Sequence, residues 1–385
     1  MNHFFHVRAV HSSGARLGVL QTKHGSLHTP FFMPIATRGA VKTLSNIELN
    51  DIQNHVDSTT DPIVLSNTYH LYLKPGLDVL RVSGGLHQFM NWKGTILTDS
   101  GGFQIFSLAH LRKLSSDGVE FQSHIDGSTH VITPEKSMEI QSVIGSDIWM
   151  AFDYFPGYPA TREESEHSVA LTTAWAKRCK QWFDEYLSQK EVGTHQLFSI
   201  VQGATFEDLR KQSAQELIAL DCNGYAIGGL AVGEPVEKMY NAIETVVPVL
   251  PPDKPRYLMG VGLPEQILEA VKRGVDMFDC VIPTRNARHG SLFIHEENSS
   301  HLIDASLSSV HYTRINMKAE RYSKDTLPID AHCTCVACVS GFSRAYLRHL
   351  FSINEPLAAR LATIHNSTFY LTLMHEIRQH IRCVA

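Results

Sequence analysis

Three aspartates stand where runs of otherwise apolar residues end: Asp99 closes TILTD, Asp153 closes IWMAFD and Asp279 lies in MFDCVIPT. A carboxylate at the end of a buried strand is costly unless it is paired or used. Other runs end on polar or small residues in the same way, with Gln202 in LFSIVQG, Gly228 and Gly229 in YAIGGLAVG, and Gly260 and Gly262 in RYLMGVG. Taken singly, each Asp could cap a helix or pair with an Arg. Three on one face, together with a Gln, suit substitution at carbon, such as an anomeric centre, with one Asp attacking and another moving a proton. Nucleotide-binding loops are missing: there is no G-x-x-x-x-G-K-[ST], and the Gly260 to Gly262 pair lacks the third glycine of a dinucleotide fingerprint.

A second constellation is Cys333, Cys335 and Cys338, a C-x-C-x2-C. Three soft donors this close need one more to complete a tetrahedron around zinc. A disulfide would leave one thiol over, and seven cysteines in 385 residues are too few for a disulfide scaffold. By spacing, His332, His349 and His365 are all available as the fourth ligand. HEIRQH, from His375, puts its second His five residues on, away from the helical face that a zinc-protease pair shares.

Eight apolar runs would position these groups: FFMPIAT from Phe31, IVLSNTY from Ile63, TILTDSGG from Thr95, IWMAFD from Ile148, LFSIVQG from Leu197, YAIGGLAVG from Tyr225, RYLMGVG from Arg256 and MFDCVIPT from Met277. Without strict alternation they read as strands buried on both faces, as parallel strands are. Helix signals fall between them: Thr133-Pro134 with Gly145 beyond, a capping box from Thr161 to Glu164, and another from Thr205 to Asp208. Strand and helix alternating eight times predict an α/β fold, a (β/α)8 TIM barrel, with a doubly wound open sheet as the alternative. EFQSHIDGSTHVIT, from Glu120, predicts an inserted β-hairpin turning at Asp126-Gly127. The regular alternation stops after Thr284. Residues 1–290 are therefore expected to form the catalytic barrel, and 291–385 a zinc-binding subdomain with C-terminal helices, starting near Ser343 and Leu357, packed on it.

With 39 acidic and 34 basic residues the net charge is -5, which excludes a chain that coats nucleic acid through overall basicity. The stretch from His311 to Ala385 has 9 Lys and Arg against 5 Asp and Glu, so a local basic patch stays open to RNA. MNHFFHVRAV has neither a cationic nor an apolar leader region, and no apolar stretch reaches the ~18 residues of a membrane span, so a cytoplasmic protein is expected.

The ordered motifs TDSGGFQ at Thr98, HIDGS at His124, VQG at Val201, IGGLAVGE at Ile227, MGVG at Met259, FDCVIPTRNAR at Phe278 and the Cys cluster followed by SRAYLRHL resemble the tRNA-guanine transglycosylase (queuine tRNA-ribosyltransferase) family of bacterial type, from about Phe5 to the C-terminus. The resemblance implies a pentosyltransferase acting without an organic cofactor. It exchanges the wobble guanine of tRNAs with GUN anticodons for a 7-deazaguanine, either an aminomethyl precursor base or queuine. By the same resemblance Asp279 is the nucleophile that holds the tRNA covalently, and Asp99 is the acid/base. Asp153, Gln202 and the Gly229 N–H recognise the purine, Phe103 and Met259 sandwich it, and Ser100, Gly101, Gly102, Gly228 and Leu230 complete the pocket. Gly260, Val261, Gly262, Thr284, Arg285, Asn286, Ala287 and Arg288 meet RNA, the two arginines next to the nucleophile; the plain alternative is surface arginines at a loop. Zinc is held by Cys333, Cys335, Cys338 and His365, and the chain forms a homodimer. The chain departs from the family pattern at Tyr154-Phe155-Pro156, where relatives read Glu-Cys and the 7-substituent is accommodated, and at Ala204 and Ala287, where Gly is common. Two rivals are a glycosidase-like barrel, which explains the carboxylates but not the Cys cluster, and a non-catalytic RNA-binding homologue, which needs neither Asp99 nor Asp279.

Overall fold

The computed structural model describes residues 4–108, 112–189, 195–304 and 306–384. All eight apolar runs are strands of one parallel sheet: Phe31–Met33, Ile63–Ser66, Thr95–Thr98, Ile148–Met150, Gln196–Val201, Gly224–Ile227, Arg256–Leu258 and Met277–Asp279. They neighbour one another in chain order, the last pairs with the first through Met277 and Phe31, and a bridge from Ile35 to Leu65 joins the first to the second. The sheet is therefore a (β/α)8 barrel. Its strands alternate between two apolar layers. Phe31, Met33, Ile63, Leu65, Leu97, Ile148, Met150, Phe198, Ile200, Ala226, Tyr257 and Met277 fill the interior, while Phe32, Val64, Ile96, Trp149, Leu197, Tyr225, Leu258 and Phe278 face the surrounding helices. Burial on both faces is why the runs are apolar throughout.

Helices follow the strands where their start signals predict. Thr133 accepts from the Lys136 N–H to open Pro134–Ile144, which stops at Gly145 with φ +73°. The Thr161–Glu164 capping box opens the 27-residue helix Arg162–Ser188. The Thr205–Asp208 box does not form: Gly203 and Ala204 take positive φ, Phe206 becomes the N-cap without a side-chain bond, and the helix runs Glu207–Ile218. The inserted hairpin, Val119–Gln122 with Thr129–Ile132, gains a third strand, Arg112–Leu114.

Two pieces went unread in the sequence. Phe5–Val10, Arg16–Thr22 and Gly25–Thr29 form an antiparallel sheet whose Phe5, Leu20 and Leu27 plug the N-terminal end of the barrel. Ser291–His295 pairs with Tyr312–Asn316 as a second hairpin. Beyond it come the short helix Val336–Val339, then Arg344–Ser352, and finally the 29-residue helix Pro356–Val384. This last helix packs against Asn46–Val56 and Ile282–Arg288, the place of an outer barrel helix, and Arg378 anchors it to Asp57 and to the Pro30 carbonyl. Among the described residues no helix is long and apolar enough to cross a membrane.

Candidate active site and metal centre

Parallel strands bring their C-terminal ends to one rim, and Asp99, Asp153, Gln202, Gly228 and Asp279 all stand on it, buried or nearly so. Asp279 is held by one oxygen. The Tyr257 hydroxyl donates to Oδ1 at 2.6 Å and the Gly260 N–H to the same atom at 2.8 Å, so Oδ2 keeps its lone pairs free among the described residues. Burial raises its pKa and these two donors oppose the rise. Gly260 reaches this geometry at φ +75°, a left-handed conformation that suits glycine.

Asp99 accepts from Asn67 Nδ2 through one oxygen and from the Thr68 N–H, at 2.9 Å, through the other. Burial pushes its carboxyl up to about 7; the negative charges of Asp279 and Asp153 add to the rise, and the amides of Thr68 and Gly101 moderate it. A carboxylic acid titrating near neutrality can both give and take a proton at working pH. Asp153 accepts from Ser100 Oγ at 2.7 Å and from Gln202 Nε2 at 2.8 Å, and burial raises its pKa too. Its carboxylate retains further lone pairs for a ligand's N–H groups. Asn67, Thr68 and Tyr257 escaped the sequence reading. The first two follow the strand Ile63–Ser66 as a polar pair within the second run, the same signal that singled out Asp99, whereas Tyr257 is embedded in an apolar strand and reads as core.

Around these acids the glycines sit close against their neighbours. A Cβ on Gly102 would lie 2.6 Å from the Asp153 carbonyl oxygen, one on Gly228 2.5 Å from Ile200 Cγ2, and one on Gly229 2.5 Å from Gln202 Oε1. Gly101 and Gly229 also have positive φ. Leu230 is buried and Met259 partly so. Phe103 is half exposed and stacks on Phe155, with ring centroids 5.4 Å apart and planes within 10°. The unusual Phe155 thus leans on the ring assigned to the base sandwich.

The expected RNA-facing residues divide by depth. Gly260 and Arg285 are exposed and Asn286 and Arg288 half-buried, whereas Val261, Gly262, Thr284 and Ala287 lie beneath the surface. PTRNAR is not a loop: Ile282–Arg288 is a short helix, and Arg288 donates to the Thr284 carbonyl at 2.9 Å.

Cys333, Cys335, Cys338 and His365 converge with their four ligand atoms within 4.8 Å of one another, all buried, and the cysteines are free thiols. His365 turns Nδ1 toward Cys338 Sγ, 3.4 Å away, and donates from Nε2 to the Phe293 carbonyl at 2.6 Å. That outer bond fixes the ring orientation a metal ligand needs. His332 and His349 are exposed and outside the cluster. In HEIRQH, His375 faces Asp57 at 3.0 Å. His24, His87 and Asp147 also converge, at the N-terminal end of the barrel, but their atoms serve one another and the backbone: His24 Nδ1 meets Asp147 at 2.7 Å, the Ile96 N–H donates to Asp147 and His87 Nε2 faces the Gly94 carbonyl.

The family model described as queuine tRNA-ribosyltransferase matches residues 11–383. The chain belongs to the queuine tRNA-ribosyltransferase family. Curated relatives bearing that name include one from Pelotomaculum thermopropionicum, 50% identical over 371 residues (96% of this chain, 92% of the relative), and one from Symbiobacterium thermophilum, 49% identical over 367 residues (95% and 84%). A third, from Staphylococcus epidermidis, is 48% identical over 377 residues (98% and 92%). Like the other members of the queuine tRNA-ribosyltransferase family, the chain is a pentosyltransferase, and its Cys3His cluster is a candidate metal site within that fold.

Proposed function

We propose that this enzyme replaces guanine in tRNA by a 7-deazaguanine in two displacements at the ribose anomeric carbon. The supporting observation is the division of labour between two buried aspartates: Asp279, anchored through Oδ1 with Oδ2 free among the described residues, and Asp99, titrating near about 7 beside it. Asp279 Oδ2 attacks C1′, the glycosidic C–N bond breaks, and Asp99 hands a proton to the departing guanine. The incoming base gives its proton to Asp99 as its ring nitrogen attacks C1′, and the aspartyl–ribose ester bond breaks. No redox or organic cofactor enters the balance.

Purine selection falls to Asp153, which accepts from N1–H and the 2-amino group, and to Gln202 and the Gly229 N–H, which donate to O6. Ser100, Gly101, Gly102, Gly228 and Leu230 shape the pocket, and Phe103 and Met259 bound the ring. A base in an anticodon loop is already partly unstacked, so extruding it costs only a few kcal/mol. GUN-anticodon tRNA is the proposed substrate. Gly260, Arg285, Asn286 and Arg288 contact the RNA, while the buried Val261, Gly262, Thr284 and Ala287 hold those residues in place.

Zinc is the metal that the donor set fits. Three thiols and one imidazole form a closed set without an open position, so its role is structural. We treat 1–290 as the barrel and 291–385 as the subdomain this ion ties together. A homodimer accounts for an apolar groove of ≈ 610 Å³ between Asn46–Val56 and the Cys cluster, lined by Ile52, Val336, Val339, Phe342 and Leu361, with Val336 and Val339 exposed. A tRNA substrate and free thiols suit the cytoplasm.

The test loads tRNA with labelled guanine and measures release by the aminomethyl base, by queuine and by guanine. Release by a 7-deazaguanine supports the reading. A protein that binds tRNA but exchanges no base refutes it.

A further inference from the structure

Under the glycine pair of the sixth strand lies a buried cation with no ion-pair partner among the described residues. Arg210, on the helix Glu207–Ile218, is fully buried. Its Nε donates to the Ala204 carbonyl at 2.8 Å, and its Nη1 to the carbonyls of Val201 at 3.0 Å and Gly228 at 2.7 Å. Among the described residues Nη2 has no hydrogen-bond partner, and it lies 3.8 Å from the point a Cβ on Gly229 would occupy. The acid that attracts it, Glu234, already accepts from the amides of Ala231 and Val232, at 2.6 and 3.0 Å. Burial pulls the Arg210 guanidinium down to about 9, the direction expected where a charge is unfavourable. A guanidinium is ordinarily buried beside a carboxylate. Here it is matched to carbonyls instead.

The choice of carbonyls is informative. Val201 and Ala204 flank Gln202 and Gly203, so one side chain clamps the turn that presents the Gln202 amide. The Gly228 carbonyl and the Gly229 N–H are the two ends of a single peptide unit. A charge-assisted bond at the oxygen end draws electron density along that unit and makes its N–H a stronger donor. With no Cβ at 228 or 229, the pocket floor between cation and ligand is only one peptide thick.

We infer that Arg210 is a specificity-determining positioning residue: it orients and polarises the Gly228–Gly229 peptide, and sets Gln202, so that the site selects a base carrying an oxygen acceptor at position 6. The inference rests on the base-exchange reading above. Arg210 does not touch the base, so it acts through binding rather than through the displacement.

The test compares guanine with 6-thioguanine, which keeps N1–H and the 2-amino group but offers a weaker acceptor at position 6. Affinities are measured by calorimetry for wild type, Arg210→Lys and Arg210→Met, with folding checked by circular dichroism. Lys keeps the charge but lacks the planar fork whose Nε and Nη1 reach the three carbonyls from separate points. The unpolarised, less firmly held Gly229 N–H should forfeit about one hydrogen bond's worth of binding, so guanine is expected to bind about tenfold more weakly to both variants. 6-Thioguanine should change much less, so the wild-type preference for guanine collapses. In exchange assays the KM for the base should rise while kcat at saturation stays near the wild-type value. Equal weakening of both ligands, or a fall in kcat alone, means that Arg210 only holds the fold and overturns the inference. Should neither variant fold, wild type decides: a guanine preference of about tenfold or more is expected, and equal affinity for the two bases overturns the inference while leaving base exchange standing. A wild type that binds neither base strikes the base-exchange reading, and this inference falls with it.

Discussion

Replacing Asp99 by Asn should remove a pH dependence of stability as well as activity. The carboxyl titrates near about 7 in the folded protein because burial and two neighbouring aspartates disfavour its charge, and near about 4 in an unfolded chain. The folded state therefore holds this proton more tightly. Its stabilising contribution is complete below about pH 4 and is lost as pH rises through about 7. At ~1.4 kcal/mol per pKa unit the whole contribution is about 4 kcal/mol, of which about 3 kcal/mol disappears between about pH 5 and about pH 8. An Asn cannot ionise, and its oxygen can still accept from the Thr68 N–H, 2.9 Å from the carboxylate it replaces. Urea unfolding of both proteins at the two pH values measures the difference directly. Wild type should lose about 3 kcal/mol more than the variant over that interval, and Asp99→Asn should be the more stable protein at the higher pH. The same pH-dependent loss in both would refute the claim that Asp99 is held neutral by its surroundings, and with it the acid/base role.

Tyr257→Phe removes the hydroxyl that anchors Asp279 Oδ1 at 2.6 Å; a bond to a charged group of about 1.5–3 kcal/mol predicts a fall in kcat/KM of about tenfold or more. Because that donor lowers the Asp279 pKa, the acidic limb of the rate profile should move to higher pH, and an unmoved limb would count against the anchoring. Cys335→Ser should lose metal by elemental analysis and melt at lower temperature before exchange chemistry suffers, since the site is closed; wild-type protein that is active without metal would contradict it. Tyr154→Glu/Phe155→Cys should shift the ratio of kcat/KM for the aminomethyl base over queuine by about tenfold towards the smaller aminomethyl base, as one or two kcal/mol at a pocket wall allow. An unchanged ratio would show that the Phe103–Phe155 stack does not read the 7-substituent.

The barrel was legible because parallel strands covered on both faces leave unbroken apolar runs, and the rim acids were legible because a carboxylate interrupts such a run conspicuously. Tyr257 was not: an aromatic within an apolar strand has the same appearance whether its hydroxyl is idle or holds a rim carboxylate. Arg210 was hidden for a related reason, since on an amphipathic helix an Arg reads as solvent-facing until the three carbonyls it serves are seen. The N-terminal sheet was missed because Phe5–Val10 alternates buried Phe5 with exposed or half-exposed His6, Val7 and Arg8, too short a pattern to stand out. The box at Thr205 failed because the chain enters that helix through two positive-φ residues, a backbone detail that no side-chain spacing records. Spacing also left three histidines open as the fourth ligand; the family resemblance pointed to His365, and the packing of the C-terminal helix against the Cys cluster brings that His to the three thiols.

The central claim is that Asp279 forms a covalent bond to the ribose, and the measurement that reaches it most directly is the trapping of that adduct. Wild type mixed with guanine-containing tRNA and denatured without added base should run on a denaturing gel as a protein–RNA conjugate, which is lost when 7-deazaguanine is added before denaturation. Asp279→Asn is isosteric, keeps an oxygen to accept from Tyr257 and the Gly260 N–H, and is a far weaker nucleophile. It should fold, bind tRNA and give no conjugate. A conjugate of normal yield from Asp279→Asn would contradict the mechanism and place the nucleophile elsewhere.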